Sequence, residues 1–330
     1  MAQPALSRDS FVSDDGTALM AEEVRASLLA PVPYLPSKYF YDDRGSRLFE
    51  RITRLPEYYQ TRTEEALLRT CASNVVARVE PHELVELGGG VSPKVRVLLN
   101  AIRNAGTLRR CVLFDIHRGS LESSLGQLAR EYPGLAARGI VGDFQGDVTA
   151  LGPGGHRLIA FLGGTIGNLH PDDEVPGFLR RLCRQMEKGD GLLLGVDLVK
   201  DTARLEHAYN DDAGVTGAFN LNLLQVMNDR LGADFDPHAF AHVAFYDEPR
   251  AWIEMRVRSL RAQTVDIPAA GVTLRFDEGD ELRTEISCKY TRESLTQRLE
   301  GTGLRLQTWY TDPERLFGLA LLGPEASASA

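Results

Sequence analysis

The sequence lacks any run of about 18 apolar residues, the length that a membrane-spanning helix needs. Its first twenty residues have neither a basic region nor an apolar core, so no secretory signal peptide is predicted. Basic residues are also in deficit, with 37 Lys and Arg against 46 Asp and Glu, for a net charge of −9. Nucleic-acid binding needs clustered basic residues to neutralise phosphates. We therefore expect a cytoplasmic protein that binds neither a membrane nor a nucleic acid.

Cysteine is scarce, and no two cysteines form a CxxC pair. In a chain of 330 residues this spacing predicts no disulfide framework, because a chain of this length buries a large core unaided. We expect reduced and mostly buried thiols, as in a cytosolic protein. The four residues are Cys71, Cys111, Cys183 and Cys288.

The usual signatures of metal and hydrolase chemistry are missing as well. His238 and His242 have the i, i+4 spacing of zinc ligands on a helix, but the Glu of HExxH and a third ligand are absent. The pair Asp211 and Asp212 is more typical of a cap or a solvated surface. No serine lies in a G-x-S-x-G turn. We predict that the protein uses no metal and is not a serine hydrolase.

Between about residues 83 and 200, apolar runs alternate with helical patterns. Ser92 suits a helix N-cap, and Pro93 suits the first helical position after it. Alternation of this kind predicts βαβ units and a parallel, doubly wound sheet covered on both faces. The predicted strands are 83–90, 111–116, 139–144, 156–169 and 189–199, and the predicted helices are 92–104, 120–131 and 172–187.

After residue 200 the rhythm changes. Residues 201–231 look helical and 240–282 mix short strands with turns, which predicts an insertion in the doubly wound unit. The pattern then returns to a strand, a helix and a closing β-hairpin, at 283–290, 291–302, 304–310 and 316–323. Residues 20–60 are candidates to join the insertion in a second domain. The polar ends, residues 1–18 and 324–330, are expected to fray.

A glycine turn, Gly88 to Gly90, ends the first predicted strand and precedes a helix, where α/β sheets bind ligands. A dinucleotide site requires a third glycine where this chain has Pro93, which disfavours an NAD(P)-linked oxidoreductase. Glu86 before the glycines resembles motif I of class I S-adenosylmethionine methyltransferases. A purely structural turn is the alternative.

Two later strand ends carry groups that suit the same cofactor. Asp115 ends the second strand, where a carboxylate can accept hydrogen bonds from both ribose hydroxyls. Asp143 and Phe144 end the third strand, where the carboxylate can accept the adenine amino group and the ring can pack on the purine. An Asp at a strand end is often only a cap, so the argument depends on three such ends in order.

Ten sequence blocks together resemble the L-histidine Nα-methyltransferase family. They cover about residues 36 to 322, nearly the whole chain, in the family's order. The blocks are YFYDDRGSRLFERITRLPEYYQTRTE (39–64), LVELGGGVSPK (84–94), FDI (114–116), GDF (142–144), FLGGTIGNL (161–169), DLVKD (197–201), AYNDDAGVT (208–216), AFN (218–220), IEM (253–255) and TEISCKY (284–290).

The resemblance implies a class I methyltransferase domain at 61–199 and 286–330, and a substrate-binding domain at 1–60 and 200–285. It implies transfer of three methyl groups from S-adenosylmethionine to the α-amine of L-histidine, giving hercynine for ergothioneine biosynthesis. We expect a monomer. A related enzyme acting on another amino acid, or a non-catalytic amino-acid-binding protein on the same fold, are the alternatives.

The resemblance also implies the site residues. Departures from the family pattern are small: the glycine turn is GGG, and Asn210 replaces a usual Asp. The implied cofactor-binding residues are Gly88, Lys94, Asp115, Asp143, Phe144 and Gly163. The implied substrate-binding residues are Tyr58, Asn168, Tyr209, Met255, Glu285 and Ser287, and Tyr41 is the candidate to orient the reacting nitrogen.

The chemistry of these residues suggests how they divide the substrate. Asn168 and Tyr209 can donate hydrogen bonds to the carboxylate of the amino acid. Glu285 can accept an imidazole N–H, while Ser287 and Tyr58 can satisfy the other ring nitrogen. Glu285 and Ser287 are i, i+2 on a predicted strand, so they should face the same side. The rings of Tyr41 and Phe49 could favour the trimethylammonium product through cation–π contact.

Overall fold

The computed structural model describes residues 7–10, 16–88, 90–152 and 154–325. Its strands are β1 (Ser7–Ser10), β2 (Glu83–Leu87), β3 (Arg110–Asp115), β4 (Ala136–Val141), β5 (Arg157–Phe161), β6 (Gly191–Asp197), β7 (Phe240–Asp247), β8 (Trp252–Ser259), β9 (Gln263–Ile267), β10 (Val272–Phe276), β11 (Glu281–Cys288), β12 (Leu304–Thr311) and β13 (Phe317–Pro324). Its helices are α1 (Gly16–Leu28), α2 (Asp43–Ile52), α3 (Tyr59–Val79), α4 (Pro93–Asn104), α5 (Arg118–Glu131), α6 (Phe144–Asp147), α7 (Glu174–Cys183), α8 (Thr202–His207), α9 (Val215–Leu231) and α10 (Arg292–Leu299).

The described residues form one large sheet with the strand order β1-β4-β3-β2-β5-β6-β13-β12. Strands β1 to β6 run parallel to one another, and β13 and β12 close the sheet as an antiparallel hairpin. The predicted doubly wound α/β sheet and its closing hairpin are therefore confirmed. Strands β2, β5 and β6 are buried along their whole length, as a parallel sheet covered on both faces requires.

The helix after β2 begins where the sequence predicts. The Ser92 hydroxyl accepts a hydrogen bond from the backbone N–H of Val95, and Pro93 opens α4. The apolar stripe of α4 is fully buried and packs in the core of the sheet, so this helix start is firmly anchored. The stripe consists of Val95, Leu98, Leu99 and Ile102.

The sheet reverses its winding between β2 and β5. From β2 the chain moves outward through β3 to β4, and it then returns to place β5 on the other side of β2. The loops at the carboxyl ends of these two strands diverge, which leaves room for a ligand. Gly88 follows β2 and Gly163 lies shortly after β5, so both are at this switch point.

The polar N-terminal end differs from the expectation. Ser7–Ser10 was expected to fray, and this is wrong, because these residues form β1 and pair in parallel with β4 at residues 138–141. The pairing gives the backbone groups on the outer side of β4 hydrogen-bond partners. Fraying is wrong for residues 16–18 as well, which begin α1, and for Pro324, which ends β13. The expected leader at residues 1–6 and 11–15, and the tail at 326–330, lie outside the described residues.

Contacts divide the chain into two compact units. Unit 1 comprises residues 1–12, 60–199 and 289–330 and contains the large sheet. Unit 2 comprises residues 13–59 and 200–288. Its described residues contain a three-stranded antiparallel sheet, β11-β8-β7, and the hairpin β9-β10, with α9 packed on β7 and β8.

The helical pattern over 201–231 is confirmed, and it consists of two helices, α8 and α9, with a break between them. Gly214 adopts a left-handed conformation, with φ of 67°, immediately before α9. The Asp211 carboxylate accepts hydrogen bonds from the backbone N–H groups of Val215 and Thr216, at 2.8 and 2.7 Å. A side-chain acceptor at the first turn ends one helix and starts the next. The capping role expected for Asp211 is thus confirmed.

The remaining global expectations concern thiols and membrane spans. All four cysteines are free, and three of them are buried, as predicted. Across the part of the chain that the structure describes, no helix is both long enough and apolar enough to cross a membrane.

Candidate functional site

At the end of β2, Gly88 and Phe144 face each other. Gly88 has φ of 82°, a conformation that L-residues rarely adopt, and its N–H donates to the Phe114 carbonyl at 2.8 Å. A Cβ on Gly88 would lie 3.5 Å from the Phe144 ring. The absence of a side chain therefore leaves open the space beside a half-buried aromatic ring. Gly89, the middle residue of the turn, lies outside the described residues.

The two aspartates at neighbouring strand ends are both half-buried. One oxygen of Asp115 accepts the N–H of His117 at 2.8 Å, and burial raises the pKa of this carboxyl although that hydrogen bond lowers it. Asp143 caps α6 by accepting the N–H of Gln145 at 2.9 Å. Each backbone contact fixes the carboxylate through its Oδ1 and orients it at the carboxyl edge of the sheet.

Lys94 and Gly163 meet at a third residue that the sequence analysis did not single out. The Lys94 ammonium lies 2.5 Å from Glu64 Oε2, and both Glu64 oxygens lie 2.9 Å from the Gly163 N–H. Glu64 is fully buried, and Lys94 is only 13% exposed. A Cβ on Gly195 would lie 2.1 Å from Glu64 Oε1, so the glycine in β6 is what makes room for this carboxylate.

Two signals in the sequence could have pointed to Glu64. It is the last residue of the resembling block at 39–64, and Gly195 interrupts an otherwise apolar strand, which often marks a close approach of another group. Neither signal names the partner, because the contact joins residues that are 30 and 99 positions apart.

Glu86, the acidic residue before the glycine turn, is buried within β2. Burial raises its pKa well above the usual range, Lys94 lowers it, and Glu64 and Asp115 raise it further. Its Oε2 atom has no hydrogen-bond partner among the described residues. The raised pKa makes this carboxyl hold its proton more readily than an ordinary glutamate, and a protonated carboxyl can donate a hydrogen bond.

Asn168 is the one proposed substrate contact in unit 1. It ends a short 3-10 turn, Thr165–Asn168, that follows β5, and it is half-buried. Gly164 precedes that turn with φ of 72°. The predicted strand 156–169 is therefore too long, because β5 ends at Phe161 and Asn168 lies beyond it in the turn.

In unit 2, the two aromatic residues proposed for the amine, Tyr41 and Phe49, lie in a contiguous cluster of rings. Tyr41 contacts Phe49 edge-on with ring centroids 5.5 Å apart, and Phe49 contacts Tyr58 at 6.2 Å. Phe219 of α9 lies 5.8 Å from Tyr41 and 5.9 Å from Phe49. Phe219 is not among the residues predicted from the sequence, although it lies in the resembling block at 218–220. We call these four residues the aromatic cluster.

The loop that carries Tyr41 is held by two hydrogen bonds that the Oδ1 atom of Asp42 accepts. Asp42 accepts the N–H of Gly45 at 2.6 Å and the side-chain amide of Asn222 at 2.9 Å. A Cβ on Gly45 would come 1.7 Å from the Phe40 carbonyl oxygen, so only glycine fits there. The short turn before α2 is thus fixed at the residue after Tyr41.

Met255, Glu285 and Ser287 lie on one face of the three-stranded sheet. Glu285 pairs with Met255, and Ser287 pairs with Ile253 on the neighbouring strand. The expected i, i+2 relation between Glu285 and Ser287 is confirmed. A register shift between Arg283 and Glu285 leaves Thr284 as an extra residue, a β-bulge that the sequence gave no means to predict.

Tyr209 and Ser287 are joined directly. The Tyr209 hydroxyl donates to Ser287 Oγ at 2.8 Å, and both side chains are buried. The sequence analysis placed Tyr209 at the substrate carboxylate and Ser287 at the ring. In the structure, two residues assigned to opposite ends of the substrate are hydrogen-bonded neighbours.

The discounted metal constellations are also located. His238 lies in a 3-10 turn and His242 in β7, so they do not share a helix face. Among the described residues, Glu57, His207 and Asp212 form a group whose potential ligand atoms lie within 4.8 Å of one another. His207 and Asp212 are largely exposed. That the protein uses no metal stays a prediction.

Comparison with known proteins extends this geometry. A family model described as histidine-specific, S-adenosylmethionine-dependent methyltransferase matches residues 20–324. A histidine N-alpha-methyltransferase of Mycolicibacterium smegmatis is 46% identical over 94% of this chain and 97% of its own length. One of Mycobacterium tuberculosis is 44% identical over 93% of this chain and 96% of its own.

The solved structures bear on the fold. An S-adenosylmethionine-dependent methyltransferase from Clostridium acetobutylicum superposes with a TM-score of 0.50 over 86% of this chain and all of that one. At 9% sequence identity, this likeness shows the fold alone. The large sheet is therefore that of a class I methyltransferase, as expected, with unit 2 in addition.

Proposed function

Because this chain belongs to the histidine-specific, S-adenosylmethionine-dependent methyltransferase family, we propose that it methylates free L-histidine. The reaction transfers three methyl groups to the α-amino nitrogen and gives hercynine for ergothioneine biosynthesis. The observation that carries this proposal is the similarity to two histidine N-alpha-methyltransferases at 46% and 44% identity over nearly the full length of each chain. A cytoplasmic monomer that needs no metal is our further proposal from the sequence.

The carboxyl edge of the large sheet fits S-adenosylmethionine, which supplies an electrophilic methyl group on its sulfonium. The open space beside Gly88 admits the adenosine, and Phe144 can pack on the purine. Asp115 accepts hydrogen bonds from the ribose hydroxyls, and Asp143 accepts one from the adenine amino group. Lys94 and Gly163, both held by Glu64, complete the cofactor-binding residues.

The histidine substrate offers a carboxylate, an α-amine and an imidazole. Asn168 and Tyr209 donate hydrogen bonds to the carboxylate. Glu285 accepts a hydrogen bond from the imidazole N–H, and Ser287 and Tyr58 make hydrogen bonds with the other ring nitrogen. The shared face of Met255, Glu285 and Ser287 supports this assignment for the ring. The hydrogen bond from Tyr209 to Ser287 supports a compact substrate site in which the two ends of one small molecule are read by neighbouring residues.

The α-amine must lose its proton before it can attack, because an ammonium has no lone pair. Tyr41 orients the nitrogen, and the surrounding aromatic cluster excludes water from it. Each transfer makes the nitrogen bulkier, and the final product carries a permanent positive charge. Aromatic faces attract such a cation. The aromatic cluster therefore favours three successive transfers over release of the substrate after the first transfer.

The test is to incubate the protein with S-adenosylmethionine and each amino acid separately, and to measure S-adenosylhomocysteine release. Release with L-histidine alone is the expected result. Release only with another amino acid would replace histidine as the substrate. Calorimetric titration separates the cofactor classes: S-adenosylhomocysteine is expected to bind, and binding of NAD instead would contradict the proposal.

A further inference from the structure

A buried asparagine on α9 connects three strands of unit 2. Asn220 is fully buried. Its Nδ2 lies 2.8 Å from the Arg256 carbonyl and 2.8 Å from His242 Nδ1, and its Oδ1 accepts the Thr284 hydroxyl at 2.6 Å. These contacts reach β8, β7 and β11 in turn. Both amide hydrogens and the amide oxygen are therefore used, which a buried amide requires to be stable.

The contact with His242 fixes the position of a proton. Asn220 Nδ2 can only donate, so His242 Nδ1 must accept, and the ring proton is on Nε2. His242 Nε2 then donates to the backbone carbonyl of Tyr209 at 2.9 Å. Through one neutral imidazole, Asn220 holds the main chain of Tyr209 in place.

The contact with Thr284 fixes the register of a strand. Thr284 is the extra residue of the bulge in β11, between Arg283, which pairs with Arg256, and Glu285, which pairs with Met255. Without the bulge, Thr284 would pair with Met255, and Glu285 would move to the opposite face of the sheet. The hydroxyl that binds Asn220 belongs to the residue that re-aims Glu285 and Ser287.

We propose that Asn220 is a positioning residue that aligns both groups of substrate contacts in unit 2. It holds Tyr209 through His242, and it pins the bulge that brings Glu285 and Ser287 onto the face of Met255. The hydrogen bond between Tyr209 and Ser287 then joins the two groups. The inference rests on the proposed function, because it takes those residues as substrate contacts.

The test compares Asn220→Ala with a matched variant, Asn228→Ala. Asn228 lies on the same helix, and its side-chain amide makes two hydrogen bonds, with the backbone N–H and carbonyl of Phe235. The Asn220→Ala variant is expected to raise the KM for histidine about tenfold or more, because Tyr209 and the bulge that positions Glu285 lose the contacts that hold them. The Asn228→Ala variant is expected to lose stability but to keep the KM of the wild type.

Thr284→Val is a milder substitution than Asn220→Ala at the same hydrogen bond, because it keeps the shape of the side chain and removes only the hydroxyl. It is expected to raise the KM for histidine about threefold. The double variant with Asn220→Ala is expected to be no worse than Asn220→Ala alone, since the two residues share one contact. The affinity for S-adenosylhomocysteine should stay within about twofold of wild type in every variant, because the hydrogen bonds of the Asn220 and Thr284 side chains go to residues of unit 2 that are not proposed cofactor contacts.

Two results would overturn the proposal. One is an Asn220→Ala protein that is destabilised like Asn228→Ala but keeps the wild-type KM. The other is a Thr284→Val protein whose effect on KM adds in full to that of Asn220→Ala. If the wild type methylates a different amino acid, the proposed function fails, and the same comparison is made with that amino acid, so the two failures are distinguishable.

Discussion

Glu64 is a buried residue that holds two of the proposed cofactor-binding residues, Lys94 and Gly163, and Glu64→Ala tests this directly. The substitution would leave the Lys94 ammonium without the carboxylate that lies 2.5 Å away, and the Gly163 N–H without its acceptor. Removing one partner of a buried pair costs about 3–5 kcal/mol, because the remaining charge is uncompensated. Glu64 is fully buried and Lys94 nearly so, and we therefore expect a loss of stability in the upper part of that range.

The neighbouring residue on the same helix is a matched control. Glu65 forms an ion pair with Arg69, but the two side chains are 26% and 62% exposed. Exposed pairs contribute only about 0–1 kcal/mol, so Glu65→Ala should hardly change the free energy of unfolding. A third variant, Glu64→Gln, keeps an oxygen for the Gly163 N–H and should fall between the two.

The assay is urea denaturation of the three variants, together with calorimetric titration of S-adenosylhomocysteine. We expect Glu64→Ala to lose several kcal/mol of stability and at least about tenfold in cofactor affinity, since both Lys94 and Gly163 are displaced. Equal unfolding free energies for Glu64→Ala and Glu65→Ala would refute this account of the cofactor edge.

Three further predictions concern single groups of the two units. Asp115→Ala should weaken S-adenosylhomocysteine binding by about tenfold or more, because charged hydrogen bonds contribute about 1.5–3 kcal/mol each; unchanged affinity in a folded variant would remove Asp115 from the site. Glu285→Ala should raise the KM for histidine by about an order of magnitude and relax discrimination against phenylalanine in a competition assay, with cofactor affinity retained; wild-type selectivity would contradict its role in reading the imidazole. Burial lowers the pKa of His242, so the folded protein binds fewer protons than the unfolded one near and below pH 6.5. The free energy of unfolding is therefore highest above that pH and decreases as the pH falls. Urea denaturation between pH 5 and 7 should therefore show a smaller pH dependence in His242→Gln than in wild type, by at most about 1.4 kcal/mol per pH unit, and equal slopes would contradict it.

Local sequence signals predicted the large sheet well. Ser92 and Pro93 set the start of α4, and alternating apolar runs located the strands, because each of these signals acts within a few residues. The strand ends followed, so Gly88, Asp115 and Asp143 were found at the edge where a parallel sheet binds ligands.

Features that depend on distant contacts could not be predicted in the same way. Glu64 acts through residues far along the chain, so the resembling block that ends at Glu64 could not name its partners Lys94 and Gly163. The bulge at Thr284 is a choice of register, which pairing with β8 and the buried amide of Asn220 decide together. The strand at Ser7–Ser10 is polar, and it exists only because β4 offers an unpaired edge.

The most direct test of histidine trimethylation is the structure of the product. After incubation of the protein with L-histidine and excess S-adenosylmethionine, tandem mass spectrometry and proton NMR would count the added methyl groups and locate them. The account predicts three methyl groups, all on the α-nitrogen, with the imidazole unchanged. Methylation of a ring nitrogen, or a product that stays monomethylated under excess donor, would contradict it.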